Sequence, residues 1–171
     1  ILTDEKYFKG NLQDLINLRK STNTPILRKD FIVDRYQIYE SFIAGADCIL
    51  IILSMIDLNL AKELEELAIS LGLDAIIEVH DEKEINNALS FKSNLIGINN
   101  RNLKNFTVNI DNAVQLSNNI KTDKILISES GINTKADIQH TIYNSKIRTF
   151  LIGESLMKSK DIKSNINNLM N

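Results

Sequence analysis

The 171 residues include one cysteine, Cys48, and one proline, Pro25. A single cysteine cannot form an internal disulfide or supply a zinc site built from cysteines. Disulfide-stapled small domains are therefore excluded. Cys48 lies within a run of Ile and Leu, which is typical of a small hydrophobic core residue. A lone thiol also fits a reducing compartment, so we expect a cytoplasmic protein.

Long apolar runs and an excess of one charge are also lacking. No run approaches the 18 or so apolar residues of a membrane span, and no secretory signal peptide is recognisable. The 20 Lys and Arg against 22 Asp and Glu give a net charge of −2. Because nucleic-acid binding requires a basic face, we expect neither a nucleic-acid nor a membrane partner. The oligomeric state is left open, and a monomer is compatible with the sequence.

An initiator methionine is lacking, since the sequence begins Ile1-Leu2-Thr3. Ile1 is a poor candidate for a residue exposed by methionine removal, so we expect a piece of a longer protein. The composition, 43% hydrophobic and 25% charged, is ordinary for a soluble globular domain. At about 150 residues per domain, the length predicts one domain.

Short apolar runs rich in Ile and Leu occur at regular intervals. Such runs are typical of strands that are buried on both faces, as in a parallel sheet. They cover residues 25–27, 47–53, 74–79, 95–98, 124–127 and 149–152, and residues 1–3 form the stub of another.

Segments with helical spacing of apolar residues separate these runs. They cover residues 10–20, 34–44, 57–71, 81–91, 111–119, 134–143 and 161–170. Several begin with Asp or Thr, which accept hydrogen bonds from the first backbone N–H groups of a helix. Asp81 with Glu84 and Thr134 with Asp137 resemble capping boxes. The order is therefore βα repeated about six times.

A glycine-rich phosphate motif of the G-x-G-x-x-G or P-loop type is lacking as well. Two architectures fit the βα repeats, a doubly wound open sheet and a (β/α)8 (TIM) barrel. The missing glycine motif favours the barrel. Because a complete barrel has about 250 residues, we predict an α/β fold of the incomplete (β/α)8 type, with residues 1–171 forming one partial domain.

Polar side chains follow the predicted strands, at the end of the barrel where active sites lie. Glu78 comes directly after Ile-Ile, where a charge must be paired or lie in a polar cavity. Two late turns carry small residues, which suit phosphate binding by backbone N–H groups. The spacing predicts a barrel enzyme acting on a phosphorylated metabolite. Its candidate residues are Lys29, Glu78, Asn99, Arg101, Glu129, Ser130, Gly131, Gly153, Glu154 and Ser155.

Taken singly, several of these residues have plainer interpretations. Lys29 could be a solvated loop residue, and Asn99 and Asn100 could be turn formers. Phe31 could belong to the core, and His80 to a loop. Only the set as a whole favours an enzyme.

Six motifs, in the same order along the chain, closely resemble indole-3-glycerol-phosphate synthase. They are Pro25-Ile-Leu-Arg-Lys-Asp-Phe-Ile-Val-Asp34, Ala44-Gly-Ala-Asp47, Glu78-Val-His-Asp-Glu82, Gly97-Ile-Asn-Asn-Arg-Asn-Leu103, Ser128-Glu-Ser-Gly-Ile132 and Leu151-Ile-Gly-Glu-Ser-Leu-Met157. The segment Leu2-Thr-Asp-Glu-Lys-Tyr-Phe8 resembles the loop after that family's second strand. The resemblance therefore implies a (β/α)8 barrel that begins near strand 2 and lacks strand 1.

The resemblance also implies a reaction, the ring closure of 1-(2-carboxyphenylamino)-1-deoxyribulose 5-phosphate. Carbon dioxide and water are released, and indole-3-glycerol phosphate is formed in tryptophan biosynthesis. The enzyme is a carboxy-lyase. The family uses no metal and no organic cofactor, so none is expected here.

Roles carry over by motif. Lys29 matches a general acid, Glu78 a group that transfers protons during dehydration, and Asn99 and Arg101 a pair that orients the substrate. Glu129 and Ser130 match strand 7 and are counted as catalytic together with Lys29, Glu78 and Asn99. The remaining matches are the phosphate cradle of Gly131, Gly153 and the backbone of Glu154 and Ser155, and the apolar wall of Phe31 and Leu50.

One motif of the family is absent from these 171 residues. The first strand of the family carries a lysine in a Lys-x-x-Ser-Pro-Ser-type segment, whereas the only proline here is Pro25. We therefore expect the segment alone to be inactive. Two alternatives stay open: an isomerase of the phosphoribosylanthranilate type, which would use a Cys/Asp or Asp/Asp pair, and a non-catalytic binding module.

Overall fold

A computed structural model describes residues 1–103 and 105–170. Over these residues the chain forms nine helices and six strands. The helices are α1 (Glu5–Phe8), α2 (Leu12–Arg19), α3 (Arg35–Ala44), α4 (Leu58–Ser70), α5 (Glu82–Ala88), α6 (Asp111–Asn118), α7 (Lys135–Asn144), α8 (Glu154–Met157) and α9 (Ile162–Met170). The strands are β1 (Leu27–Arg28), β2 (Cys48–Ile52), β3 (Asp74–Val79), β4 (Leu95–Asn99), β5 (Ile125–Glu129) and β6 (Thr149–Leu151).

Apart from the strand stub at residues 1–3, every predicted strand and helix overlaps one of these elements. The sequence does not predict α1 and α8, because helices of four residues are too short to show an apolar period. The predicted strand stub at residues 1–3 is present as a parallel bridge between Leu2 and Lys29.

The chain divides into two compact units. The first contains residues 1–78 and 90–94, and the second contains residues 79–89 and the described residues from 95 onward. Within the first unit β1, β2 and β3 are parallel neighbours in chain order. Within the second unit β4, β5 and β6 are arranged in the same way. The single domain stays a prediction.

The core of the first unit lies around β2. Ile49 and Ile51 are completely buried, as expected for a parallel strand covered on both faces. On α4, the completely buried Ala61, Leu64 and Ala68 recur at helical spacing and face this strand. The periodicities of the two elements therefore determine which faces meet.

Helix caps follow the sequence signals closely. Thr134 and Asp137 form the predicted capping box at α7. At α5 only half of the predicted box forms: Asp81 accepts a hydrogen bond from the Glu84 N–H, but the Glu84 carboxylate accepts from the His80 N–H at 2.8 Å. The reason is local, since His80 directly precedes the cap and its N–H is within reach of the same carboxylate.

A buried carboxylate supports the loop that precedes β4. Glu65 on α4 is 2% exposed, and its two oxygens accept hydrogen bonds from the N–H groups of Lys92 at 3.2 Å and Ser93 at 2.6 Å. The Ser93 hydroxyl donates to the carbonyl of Ala75. The helix, the loop and β3 are thereby connected within the first unit.

We expect Glu65→Ala to destabilise the protein by about 2–3 kcal/mol, because it leaves buried backbone donors without an acceptor. Its neighbour Glu66 is the matched control, since its side chain is 62% exposed. Its ion-pair partner among the described residues is the ammonium of Lys92, which is itself exposed. Glu66→Ala should change the free energy of unfolding by less than about 0.5 kcal/mol. Urea unfolding of both variants checks this, and equal losses would contradict the assigned role.

Candidate active site

Lys29, the predicted general acid, is paired in the first unit with a buried carboxylate. Lys29 directly follows β1, and its ammonium Nζ lies 3.6 Å from Oε2 of Glu78, the penultimate residue of β3. The Glu78 side chain is 2% exposed, whereas that of Lys29 is 32% exposed. A charge this deeply buried requires an opposite charge, and the ammonium supplies it. The structure thus brings together two of the predicted site residues.

The residue before Lys29 points to the other face of the strand, because side chains alternate along β-strands. Arg28 is 4% exposed, and its guanidinium lies 2.9 Å from the carboxylate of Asp30 and 2.7 Å from that of Glu40 on α3. It also donates to the hydroxyls of Thr3 and Ser41. This network anchors the residues on both sides of Lys29.

Asp30 extends the anchoring into the following turn. Its carboxylate accepts hydrogen bonds from the Phe31 N–H at 2.8 Å and from the Thr3 hydroxyl at 2.5 Å. A carboxylate that holds two donors in addition to Arg28 restricts the backbone that carries Lys29. Arg28 and Asp30 were not among the predicted site residues, although their alternation with Lys29 at a charged strand end is a usable signal.

Phe31 lies in an aromatic cluster instead of the core. Its ring contacts the rings of Tyr7, edge-on with centroids 5.6 Å apart, and Phe8, stacked at 5.8 Å. Tyr7 and Phe8 are the last two residues of the short helix α1, and both remain substantially exposed. Leu50, the other predicted wall residue, is 1% exposed within β2. Phe8 was not among the predicted site residues, although it ends the motif that begins at Leu2.

The thiol of Cys48 is unsuited to acid–base chemistry at neutral pH. It lies at the start of β2, and burial, reinforced by the charge of Asp74, raises its pKa to about 12. The catalytic-thiol alternative therefore lacks a suitable group, and the interpretation of Cys48 as a small hydrophobic residue agrees with its surroundings.

In the second unit, strand pairing brings two predicted residues side by side. Asn99 at the end of β4 is the register partner of Glu129 at the end of β5. Both are buried, with exposures of 7% and 2%. The Asn99 side-chain oxygen accepts a hydrogen bond from the Arg101 N–H at 2.9 Å, which fixes the start of the loop after β4.

Arg101 is held by Glu154, a residue predicted to use only its backbone. The guanidinium of Arg101 lies 2.6 Å from one carboxylate oxygen of Glu154, and the Lys158 ammonium lies 2.6 Å from the other. Lys158 and then Arg101 hold the pKa of Glu154 below its usual range. The side chain of Glu154 is thus engaged by two cations, which leaves its backbone as the part that could face a phosphate.

The turn after β5 has an unusual backbone. Ser130 and Gly131 both adopt left-handed conformations, with φ of 64° and 84°. A Cβ atom on Gly131 would lie 2.6 Å from a methyl of Val108, so the position has both a conformational and a steric requirement for glycine. The hydroxyl of Ser155 on α8 donates to the carbonyl of Ile132 at 3.0 Å, which ties the second predicted turn to the first.

Residues 1–103 and 105–170 contain neither a metal-binding cluster nor a membrane-spanning helix. No group of three or more His, Cys, Asp or Glu side chains is placed to hold a metal ion within that part of the chain. No described helix combines the length and the apolar character needed to cross a bilayer.

The sequence matches the profile of the family "Indole-3-glycerol phosphate synthase" over residues 1–169. The chain belongs to this family. The indole-3-glycerol phosphate synthase of Polaromonas sp. strain JS666 is 45% identical over 161 residues, which are 94% of this chain and 61% of that protein. The protein of the same name from Legionella pneumophila strain Lens is 44% identical over 99% of this chain and 66% of its own length. The chain thus spans somewhat less than two thirds of these relatives.

Solved structures establish the fold independently of sequence identity. A structure titled "Native KDPGal structure" superimposes with a TM-score of 0.70 at 12% identity, covering 99% of this chain and 76% of that one. A chain of the tryptophan synthase complex from Pyrococcus furiosus gives 0.69 at 13% identity, covering 94% and 70%. The predicted incomplete (β/α)8 barrel is therefore confirmed, and the doubly wound sheet is not supported.

We expect Cys48 to resist alkylation by iodoacetamide at pH 8 in the folded protein, because its pKa is about 12 and little thiolate forms. Burial raises the pKa of Cys48 above the ordinary value near 9. The free energy of unfolding is therefore unaffected by this thiol below pH 9 and decreases as the pH rises from 9 toward 12. Alkylation in 6 M guanidinium is the control. Equal rates in the folded and unfolded protein would contradict the assignment.

We expect Gly131→Ala to destabilise the protein more than Gly72→Ala. Both glycines have positive φ, 84° and 83°, but no atom lies within 4 Å of a Cβ on Gly72. Gly72→Ala should therefore cost only the left-handed strain, about 1–2 kcal/mol, whereas Gly131→Ala adds overpacking of about 1–3 kcal/mol. Urea unfolding measures the difference, and equal losses would show that the contact with Val108 relaxes freely.

Proposed function

We propose that the complete protein containing this chain is an indole-3-glycerol-phosphate synthase, a cytoplasmic carboxy-lyase of tryptophan biosynthesis. Its substrate is 1-(2-carboxyphenylamino)-1-deoxyribulose 5-phosphate. Family membership and 43–45% identity to proteins of this name support the proposal. The observation that carries it is the Lys29–Glu78 pair, a cation and a buried carboxylate at the ends of β1 and β3.

Lys29 is the proposed general acid. Ring closure forms a bond between the aromatic carbon that bears the carboxylate and the carbonyl carbon of the sugar, so negative charge develops on the carbonyl oxygen. An ammonium group can stabilise that charge and deliver the proton. Glu78, 3.6 Å away, orients the ammonium. Loss of carbon dioxide then restores the aromatic ring.

Glu78 is the proposed proton carrier of the final step. Dehydration expels the hydroxyl left from the carbonyl as water and removes a proton from the new ring. A carboxylate that is 2% exposed and touches an ammonium is suited to exchange protons without solvent. The proton removed from the ring balances the one that the departing hydroxyl needs to leave as water. The proton that Lys29 donated in the first step is therefore replaced from solvent, which reaches its 32% exposed side chain.

The other residues have binding or further catalytic roles in this proposal. Asn99 and Arg101 orient the polar groups of the substrate, and Glu129 and Ser130 are, with Asn99, the further catalytic residues. Phe31 and Leu50 supply an apolar wall for the anthranilate ring. The phosphate is bound by the backbone of Gly131, Gly153, Glu154 and Ser155. Its support is the left-handed turn at Gly131 and the hydrogen bond between Ser155 and Ile132.

We expect Lys29→Ala in the complete protein to lower kcat by about 10²–10⁴, the usual contribution of a general acid. The matched control is Lys20→Ala, since Lys20 is an exposed lysine at the end of α2. Indole absorbance of the product measures turnover. A loss below about threefold for Lys29→Ala would show that Lys29 only positions the substrate.

The 171-residue chain is assayed beside the complete protein, and we expect it to be inactive because it lacks the Lys-x-x-Ser-Pro-Ser segment. Equal turnover by both would contradict a catalytic role for that segment. Tight binding of the substrate without turnover by the complete protein would replace the enzyme proposal with a binding function.

A further inference from the structure

Asn100 lies next to the proposed site but has no assigned role. It directly follows β4, and only 3% of it is exposed. Its backbone N–H donates to the Glu129 carbonyl at 2.9 Å, and its carbonyl accepts from the Asn109 N–H at 3.0 Å. The main chain is therefore already fixed, so the side chain is available for a separate purpose.

The side-chain amide of Asn100 reaches three groups. Its Nδ2 donates to the hydroxyl of Ser128 at 3.0 Å and to the carbonyl of Ser130 at 3.0 Å. Its Oδ1 accepts from the N–H of Ala113 on α6 at 3.0 Å. A carbonyl can only accept and a backbone N–H can only donate, so these partners fix which way the amide faces. Aspartate, which has the same shape, could not donate to the Ser130 carbonyl.

The bond to the Ser130 carbonyl acts on a strained turn. Ser130 adopts φ of 64°, a conformation that side chains other than glycine and asparagine rarely enter, and Gly131 follows with φ of 84°. Such a conformation persists only where the surroundings hold it. The Asn100 amide holds the carbonyl between these two residues, and its Cβ lies 4.0 Å from the position of a Cβ on Gly131.

We infer that Asn100 is a positioning residue that holds the Ser130–Gly131 turn in its left-handed form and thereby sets the shape of the phosphate-binding backbone. The inference rests on the proposed function for the phosphate, but the effect on the turn itself does not. The buried Asn100 amide donates to the Ser130 carbonyl on one side and is held by the Ala113 N–H of α6 on the other. It therefore holds the turn in one conformation before the substrate binds.

The test uses the complete protein with Asn100→Asp, Asn100→Ala and the control Ser128→Ala. Ser128→Ala removes one partner of the amide but leaves its bond to the Ser130 carbonyl intact. For both Asn100 variants we expect KM for the carboxyphenylamino substrate to rise by about tenfold or more. This corresponds to the loss of one hydrogen bond from a backbone N–H of the turn to the charged phosphate. We expect kcat to stay within about threefold, because phosphate binding is equal in ground and transition states.

Crystal structures of the same variants supply a second readout. Ser130 should leave the left-handed region in Asn100→Asp and Asn100→Ala and keep it in Ser128→Ala. The inference is overturned if Ser130 keeps its conformation in both Asn100 variants, or if Ser128→Ala raises KM equally. Asn100→Ala decides the question if the charged variant does not fold. If the wild-type protein does not turn over the substrate, the proposed function fails, while the conformation of Ser130 still tests the positioning role.

Discussion

The pairing of a buried carboxylate with a strand-end lysine is the interaction around which the first unit is arranged. Glu78 is 2% exposed, and the Lys29 ammonium 3.6 Å away supplies the opposite charge. Removing either partner would leave a desolvated charge or an unanchored cation. Because the pair joins two strands that are separated by β2, it also requires the parallel order of β1, β2 and β3. The proposed chemistry and the strand order thus depend on the same contact.

A network of charged residues on the opposite face of the strand anchors the backbone on both sides of Lys29. Arg28 and Asp30 flank it in sequence and point to the opposite side, where Arg28 is bound by Asp30, Glu40, Thr3 and Ser41. Strand alternation places these anchoring residues and Lys29 on opposite faces. In the second unit the neighbours Asn99 and Asn100 also have separate roles. Asn99 lies opposite Glu129 in the strand register, and the side chain of Asn100 binds the Ser130–Gly131 turn.

The parts of the fold that repeat were predictable, and the parts that do not repeat were not. Apolar runs and helical spacing located the strands and the longer helices, because burial imposes a period on such elements. The short helices α1 and α8 were not predicted, because four residues are too few to show an apolar period. The cap at α5 was half wrong, because the Glu84 carboxylate binds the N–H of His80. A sequence pattern does not decide between two donors equally near.

The sequence by itself determined the family, the order of βα units and the residue types at the strand ends. These follow from local patterns and from motifs that are read residue by residue. Only the tertiary structure decided which of those residues meet. Lys29 and Glu78 are 49 positions apart by number, yet in contact, and the Asn100 amide acts on a carbonyl 30 positions away. Contacts of this kind depend on strand register and side-chain direction, which are settled when the strands pack and not before.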